Sequence, residues 1–259
     1  MLRVAAAATC GLLLLSAYAA TGPSPRQQPL EASTQMIVVT TPDWNAVDGR
    51  LQRYERAEAG GPWKPLGDPI EIVVGKNGMG WGTGLAETDG PGLRGEQDPV
   101  KHEGDGKSPA GVFRFGTAFG DAAEAPGDWK LPYIRLTPTV ECVDDTNSRF
   151  YNRIVDRAAT TTDWNSSEKM LSVGEAYRWG AVIENNARPI VPSAGSCVFM
   201  HIWGGRGMGT AGCTAMAQDR LEPILAWLDP AKTPVLVQLP KAQYAKLRKA
   251  WHLPGPPKP

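Results

Sequence analysis

Two residues carry the strongest chemical suggestion in this chain. His201 stands near the end of the apolar run "SCVFMHIW" (residues 196–203), and Cys213 follows a glycine-rich connection in "GGRGMGTAGCTAM". A strand, a flexible turn and a return could set the imidazole beside the thiol. A thiolate is the nucleophilic form of cysteine, and a neighbouring imidazole can take its proton. Ala211 and Gly212 are small, so their N–H groups and that of Cys213 could approach a developing oxyanion. Leu221, Ile224, Leu225 and Leu228 recur at helical spacing within Met216–Asp229. This predicts a helix starting near Thr214 or Ala215, whose N-terminal dipole would favour the thiolate. The same residues also read as structure. A lone cysteine is often a small buried hydrophobe, and a lone histidine at a strand end often only satisfies a hydrogen bond.

The elements that must position this pair are mostly strands. The 259 residues include 29 Gly and 23 Pro with 42% hydrophobic residues, a composition for a turn-rich β body with a normal core. Strands are expected in "MIVVTT" from Met36, "GRLQRYERA", "PIEIVVG", "AGVFRFGTAFG", "PYIRLTPTVECVDD", "YRWGAVIEN", "SCVFMHIW" and "PVLVQLP". Helices are expected only after Cys213, with Pro223 in the first turns, and in "KAQYAKLRKAW".

The N-terminus sets the expected compartment. Arg3, the apolar run through Leu12–Leu15 and Ala17-Tyr18-Ala19 form a secretory signal pattern, so residues 1–20 are expected to be removed. A retained membrane anchor is the other reading, for which the run is short. Residues 21–35 read as a flexible linker, 36–252 as one domain and 253–259 as a Pro-rich tail that frays. The chain carries 27 basic and 27 acidic residues, and losing Arg3 leaves 26 against 27. That balance makes no electrostatic case for nucleic acid. Cys10 leaves with the signal. In an oxidising compartment Cys142 and Cys197, both in strand-like "CV" contexts, are expected to bridge and leave Cys213 free, the other reading being two buried thiols.

No cofactor or metal site is expected. His102 and His252 stand apart from His201 and read as surface residues, and no C-x-x-C spacing occurs. Asp144 and Asp145 read as a turn, and Asn152, Arg153 and Trp164 as structural or groove residues rather than catalytic ones.

The segment "HIWGGRGMGTAGCTAM" resembles the active-site signature of the L,D-transpeptidase catalytic domain, the YkuD-like family. There a His precedes a Ser/Thr-x-Gly-Cys element across a glycine-containing loop, here Thr210-Ala211-Gly212-Cys213. "GDGKSPAGVFRFGTAFG" is similar to the family's Gly-x-Gly-x-(Ser/Thr)-Pro-x-Gly strand entry, and "ECVDDTNSRFYNRIV" and "WNSSEKM" resemble segments of one branch. The resemblance spans most of Met36–Pro240. It implies a mainly β, L,D-transpeptidase-like sandwich with a few short helices. It implies Cys213 as nucleophile, His201 as general base and the Ile202 carbonyl as the group orienting His201. Backbone donors would be Ala211, Gly212 and Cys213, and Arg206 and Thr210 are candidate substrate contacts. Two positions depart from the family pattern. Ala211 stands where many members have a His, and Ala215 where many have Arg or Asn; Arg206 could supply the missing charge.

The implied activity is exported acyl transfer on peptidoglycan stem peptides, in the periplasm, cell wall or extracellular space, through a thioester and without a stable membrane span in the mature chain. Two alternatives stand beside it: an L,D-carboxypeptidase or amidase using the same site, and a non-catalytic wall-binding domain on the same fold.

Overall fold

The computed structural model describes residues 28–85 and 94–257. The signal segment 1–20 and linker residues 21–27 lie outside them. The described chain begins with a short helix α1 (Gln28–Ala32), then strands β1 (Gln35–Thr41), β2 (Asp48–Glu55), β3 (Lys64–Val73) and β4 (Met79–Trp81). The long strand β5 (Ser108–Gly120) is followed by β6 (Tyr133–Arg135), β7 (Val140–Val143), β8 (Ile154–Asp156) and β9 (Ser167–Lys169). After a 3-10 segment (Met170–Tyr177) come β10 (Trp179–Ile183), β11 (Phe199–Ile202) and β12 (Thr214–Met216). Helix α2 (Gln218–Trp227), β13 (Val235–Pro240) and helix α3 (Lys241–Leu247) complete the order.

The protein is mainly β. Its large sheet runs β10-β11-β12-β3-β2-β1-β13-β5, and β5 pairs back onto β10, so the sheet closes on itself. This barrel-like closure stands where the resemblance implies a sandwich. The β-branched run of β1 sits between antiparallel β2 and parallel β13, and β1 and β13 are buried along their whole lengths. Such strands read as continuous apolar runs rather than alternations because both faces are covered. Helix α3 packs on β1 and β13, and α2 on β10 and β11.

A second, smaller sheet of order β8-β7-β9 stands apart from the ring. With the 3-10 segment it forms a cap, whose Leu136, Val140, Cys142, Met170 and Tyr177 cluster against Phe119, Phe199 and Cys213. Alternation along β11 divides the two cores. Met200 and Ile202 belong to the main core, Phe199 to the capped one. The Cys142–Cys197 disulfide, with Cα atoms 5.9 Å apart, fastens β7 to the segment entering β11.

One expectation is corrected here. Thr214–Met216 is strand rather than helix start, and α2 begins only at Gln218, with Pro223 in its middle. At the start of the described chain, Arg56 donates to the carbonyls of Leu30, Glu31 and Ser33 and holds α1 in place. At its other end, the Tyr54 and Tyr244 hydroxyls donate to the carbonyls of Gly255 and Pro254.

Candidate active site

Parallel pairing of β11 with β12 sets Met200 opposite Thr214 and His201 opposite Ala215. His201 and Cys213 therefore lie on neighbouring strands, with the thiol just ahead of β12. Both are buried, at 8% and 6% exposure. The connection between them is pinned at both ends: Trp203 N–H donates to the Met216 carbonyl and Thr210 N–H to that of Val74.

The turn holding Cys213 is fixed by hydroxyls from two distant segments. Thr210 Oγ1 donates to the Cys213 carbonyl at 2.6 Å, and Ser108 Oγ donates to it at 2.9 Å. Ser108 in turn accepts from Gly75 N–H. Gly75 is required here, since a Cβ on it would lie 2.3 Å from the Gly106 carbonyl oxygen. Thr210 is thus spent inside the turn rather than free for substrate, and it also accepts from Gly212 N–H at 3.1 Å. That bond occupies one of the three backbone donors named from the sequence. Ala211 is exposed, while Cys213 lies beneath the cap.

The imidazole is oriented by its own backbone. His201 Nδ1 lies 2.8 Å from the Ile202 carbonyl, and the Ala176 backbone of the cap is a second group that favours the imidazolium. The thiol has different partners. Cys213 Sγ accepts from Phe199 N–H at 3.3 Å, approaches the Cys197 carbonyl at 3.6 Å and packs with Tyr177 in the capped core. Among the described residues, then, no hydrogen bond joins imidazole to thiol under the closed cap.

Burial dominates the electrostatics. It holds the His201 pKa down at about 4, against the two carbonyls that favour the imidazolium. It also pushes the Cys213 thiol up to about 12, and the negative charge of Glu168 adds to that rise. The expected helix-dipole assistance is absent because a strand follows the cysteine. With the cap closed both groups are neutral at neutral pH, so the thiol is stored in its unreactive form.

The remaining sequence-named residues separate into structural and peripheral roles. Arg206 is exposed and pairs with Glu71 at 3.1 Å, beside a shallow groove that includes Asp48, Arg50, Trp203 and Lys241. Ala215 is fully buried opposite His201 and Val73, a place with no room for a long charged chain. Asp145 accepts from the N–H groups of Asn147 and Asn165, and Asp144 from Ser166. Asn152 accepts from Cys197 N–H, and Trp164 Nε1 donates to Glu141. His102 and His252 are exposed. Among the described residues no helix is long and apolar enough to cross a membrane, and no group of His, Cys, Asp and Glu is placed to hold a metal ion.

Sequence reasoning missed three residues near the thiol. The buried Lys101 places Nζ 3.7 Å from where a Cβ on Gly212 would sit, while pairing with Asp105. The cation sought at Arg206 thus approaches from another segment. Tyr177 and Glu168 reach the thiol from the cap, and nothing in their local spacing marks them. Ser108 was legible, as the Ser of the Ser-Pro element in Gly104–Gly120.

No protein-family model matches the chain, and neither curated proteins nor solved structures gave a significant match.

Proposed function

We propose that the protein is an exported cysteine acyltransferase of L,D-transpeptidase type, acting on peptidoglycan stem peptides through a thioester on Cys213. The fold would then be a variant of the one that the resemblance implies. The observation that carries this reading is the meeting of its two motif segments at one atom. Ser108 and Thr210 both donate to the Cys213 carbonyl, so segments far apart in the chain build one turn around the thiol. A cysteine that was only core filling would need no such turn.

The chemistry follows from the geometry once substrate displaces the cap. The imidazole donates Nδ1–H to the Ile202 carbonyl, which leaves its other nitrogen to take the thiol proton when the Ala176 carbonyl withdraws. The thiolate attacks a peptide carbonyl, with Ala211 and Cys213 N–H groups offered to the oxyanion. The C–N bond breaks, and the imidazolium protonates the leaving terminal D-amino acid. An amine of a second stem peptide attacks the thioester, forms the new amide and returns the thiolate. One amide replaces another, so the exchange needs no nucleotide.

The test is incubation of the mature chain with a tetrapeptide stem and an amine acceptor, followed by mass spectrometry. Cross-linked product and a carbapenem adduct mapped to Cys213 are expected, and both vanish in Cys213→Ala. Tripeptide alone would assign a carboxypeptidase. Undiminished release of the D-amino acid by Cys213→Ala would overturn the mechanism.

A further inference from the structure

The cap contributes more than cover. Tyr177 stands at the end of the 3-10 segment, just after the break at Gly174, and is 4% exposed. Its ring packs edge-on against His201 and Phe199, with centroids 5.1 and 5.5 Å away. Its hydroxyl donates to Glu168 Oε1 at 2.8 Å, and Tyr177 packs with Cys213 in the capped core. One buried phenol therefore packs against the candidate base and beside the candidate nucleophile. A carboxylate on β9 accepts the hydrogen bond from its O–H.

We propose that Glu168 and Tyr177 form a brake on Cys213: while the cap is closed the single phenolic proton is committed to the Glu168 carboxylate, and the thiolate is stabilised only when that proton turns to sulfur. This inference rests on the reading of Cys213 as nucleophile and adds how that nucleophile is restrained. Tyr177 touches the reacting sulfur, whereas Glu168 acts through Tyr177 and is a positioning residue.

Every charged or titratable group around the sulfur fits this arrangement. From the cap come Glu168 and Tyr177, with Asp144 adding like charge to Glu168. From β11 comes His201, held neutral. From the segment before β5 comes Lys101, largely balanced by Asp105. Among the described residues the charge of Glu168 outweighs that of Lys101 at the thiol, and the Tyr177 hydroxyl, which could offset a thiolate, is turned toward Glu168. Burial and the Glu168 charge both hold the thiol protonated. Release requires no proton to leave the phenol. Its O–H rotates to the sulfur, the thiol proton passes to His201, and Glu168 loses one hydrogen bond. A substrate that lifts the cap and separates β9 from the thiol would produce the same release, so the thiol is armed only in the bound state.

The experiment is alkylation of Cys213 by iodoacetamide in the folded, disulfide-intact protein, followed across pH and mapped by mass spectrometry. In Glu168→Gln the rate–pH curve is expected to move down by about one pH unit, the scale of a single nearby charge. That gives about ten times more thiolate at neutral pH. The lower basicity of the sulfur costs part of it, so the rate rises about threefold. In a Tyr177→Phe background, where the proton-sharing group is gone, the same Glu168→Gln change is expected to give little gain. A Glu168→Gln rate equal to or below that of the parent overturns the brake. So does a gain that persists undiminished without the Tyr177 hydroxyl, which would report only a loosened cap. Thermal unfolding of each variant checks that the fold is kept. If alkylation behaves as expected and stem peptides are not turned over, the brake stands and the acyl-transfer reading falls. Turnover of stem peptides with alkylation indifferent to Glu168 gives the reverse.

Discussion

β1 and β13 are buried at every position and hold their place with aliphatic side chains inside a sheet that has closed on itself. β7, at the centre of the cap, is also buried at every position, yet it carries a carboxylate, Glu141, in its middle. Glu141 accepts from Trp164 and Ser167 and pairs with Arg157 and Lys169, so one anion ties β7 to β9 and to the residue that follows β8. These bonds hold its carboxyl below the ordinary range although burial works against them. Apolar burial is non-directional and tolerates only small adjustments. An ion network with a disulfide is a set of discrete fasteners. The ring is therefore suited to hold the strands of His201 and Cys213 rigid. The cap is suited to keep its own shape while moving as a unit, anchored where Cys142 meets Cys197.

Three perturbations sharpen or break this contrast. The largest is removal of the disulfide by Cys142→Ser with Cys197→Ser. Chain-entropy arithmetic for the loop closed between them gives about 4 kcal/mol. Hydrogen exchange is expected to speed up in β7–β9 and the 3-10 segment while β1 and β13 stay protected. Equal acceleration in both regions would mean one cooperative unit and no separable cap.

The second acts at the seam. His201 is held at about pKa 4 in the folded chain, against about 6.5 when unfolded. Between those values the unfolded chain binds the extra proton, so the stability from neutral burial is complete above pH 6.5 and lost as pH falls toward 4. Comparing the parent with His201→Gln across that window, the difference in unfolding free energy is expected to shrink by about 3 kcal/mol. Parallel stability curves would show that His201 titrates normally and that the cap is already open in solution.

The smallest effect is expected for Glu141→Ala. Arg157 and Lys169 are about half exposed and can regain water, so the loss falls to about 2 kcal/mol, below that of a fully enclosed pair. Exchange should again locate the loss in the cap.

The strands of the ring were legible because long β-branched runs such as "MIVVTT" and "PVLVQLP" have no competing helical reading. His201 on its strand and the Cys142–Cys197 bridge were legible for similar reasons: an apolar run and a short supply of cysteines. The strand after Cys213 was missed because three residues are too few to show a period, and the strong spacing from Leu221 to Leu228 extended the apparent helix backward over them. Strands β8 and β9 are equally short and partly polar, and only long-range pairing with β7 makes them strands. Tyr177 and Glu168 could not be found, because their link to Cys213 is made by the cap folding over and not by any local pattern. The contacts at the two ends were not legible either: Arg56 reaching Ser33, and Tyr54 and Tyr244 reaching Gly255 and Pro254, join residues far apart in the chain.

The pinned connection between His201 and Cys213 has a consequence for how such a site can diversify. Trp203 is fastened to Met216, and Thr210 to Val74 and Lys76, so both ends of the connection are held by backbone pins. Between them Gly207 N–H donates to Asp48 and Arg206 pairs with Glu71, while the Met208 side chain is largely exposed and can change chemistry at little cost. The connection borders the groove that carries Arg50, Glu71 and Lys241. New partners can therefore be recruited by rewriting exposed loop residues, with the placement of His201 and Cys213 unchanged.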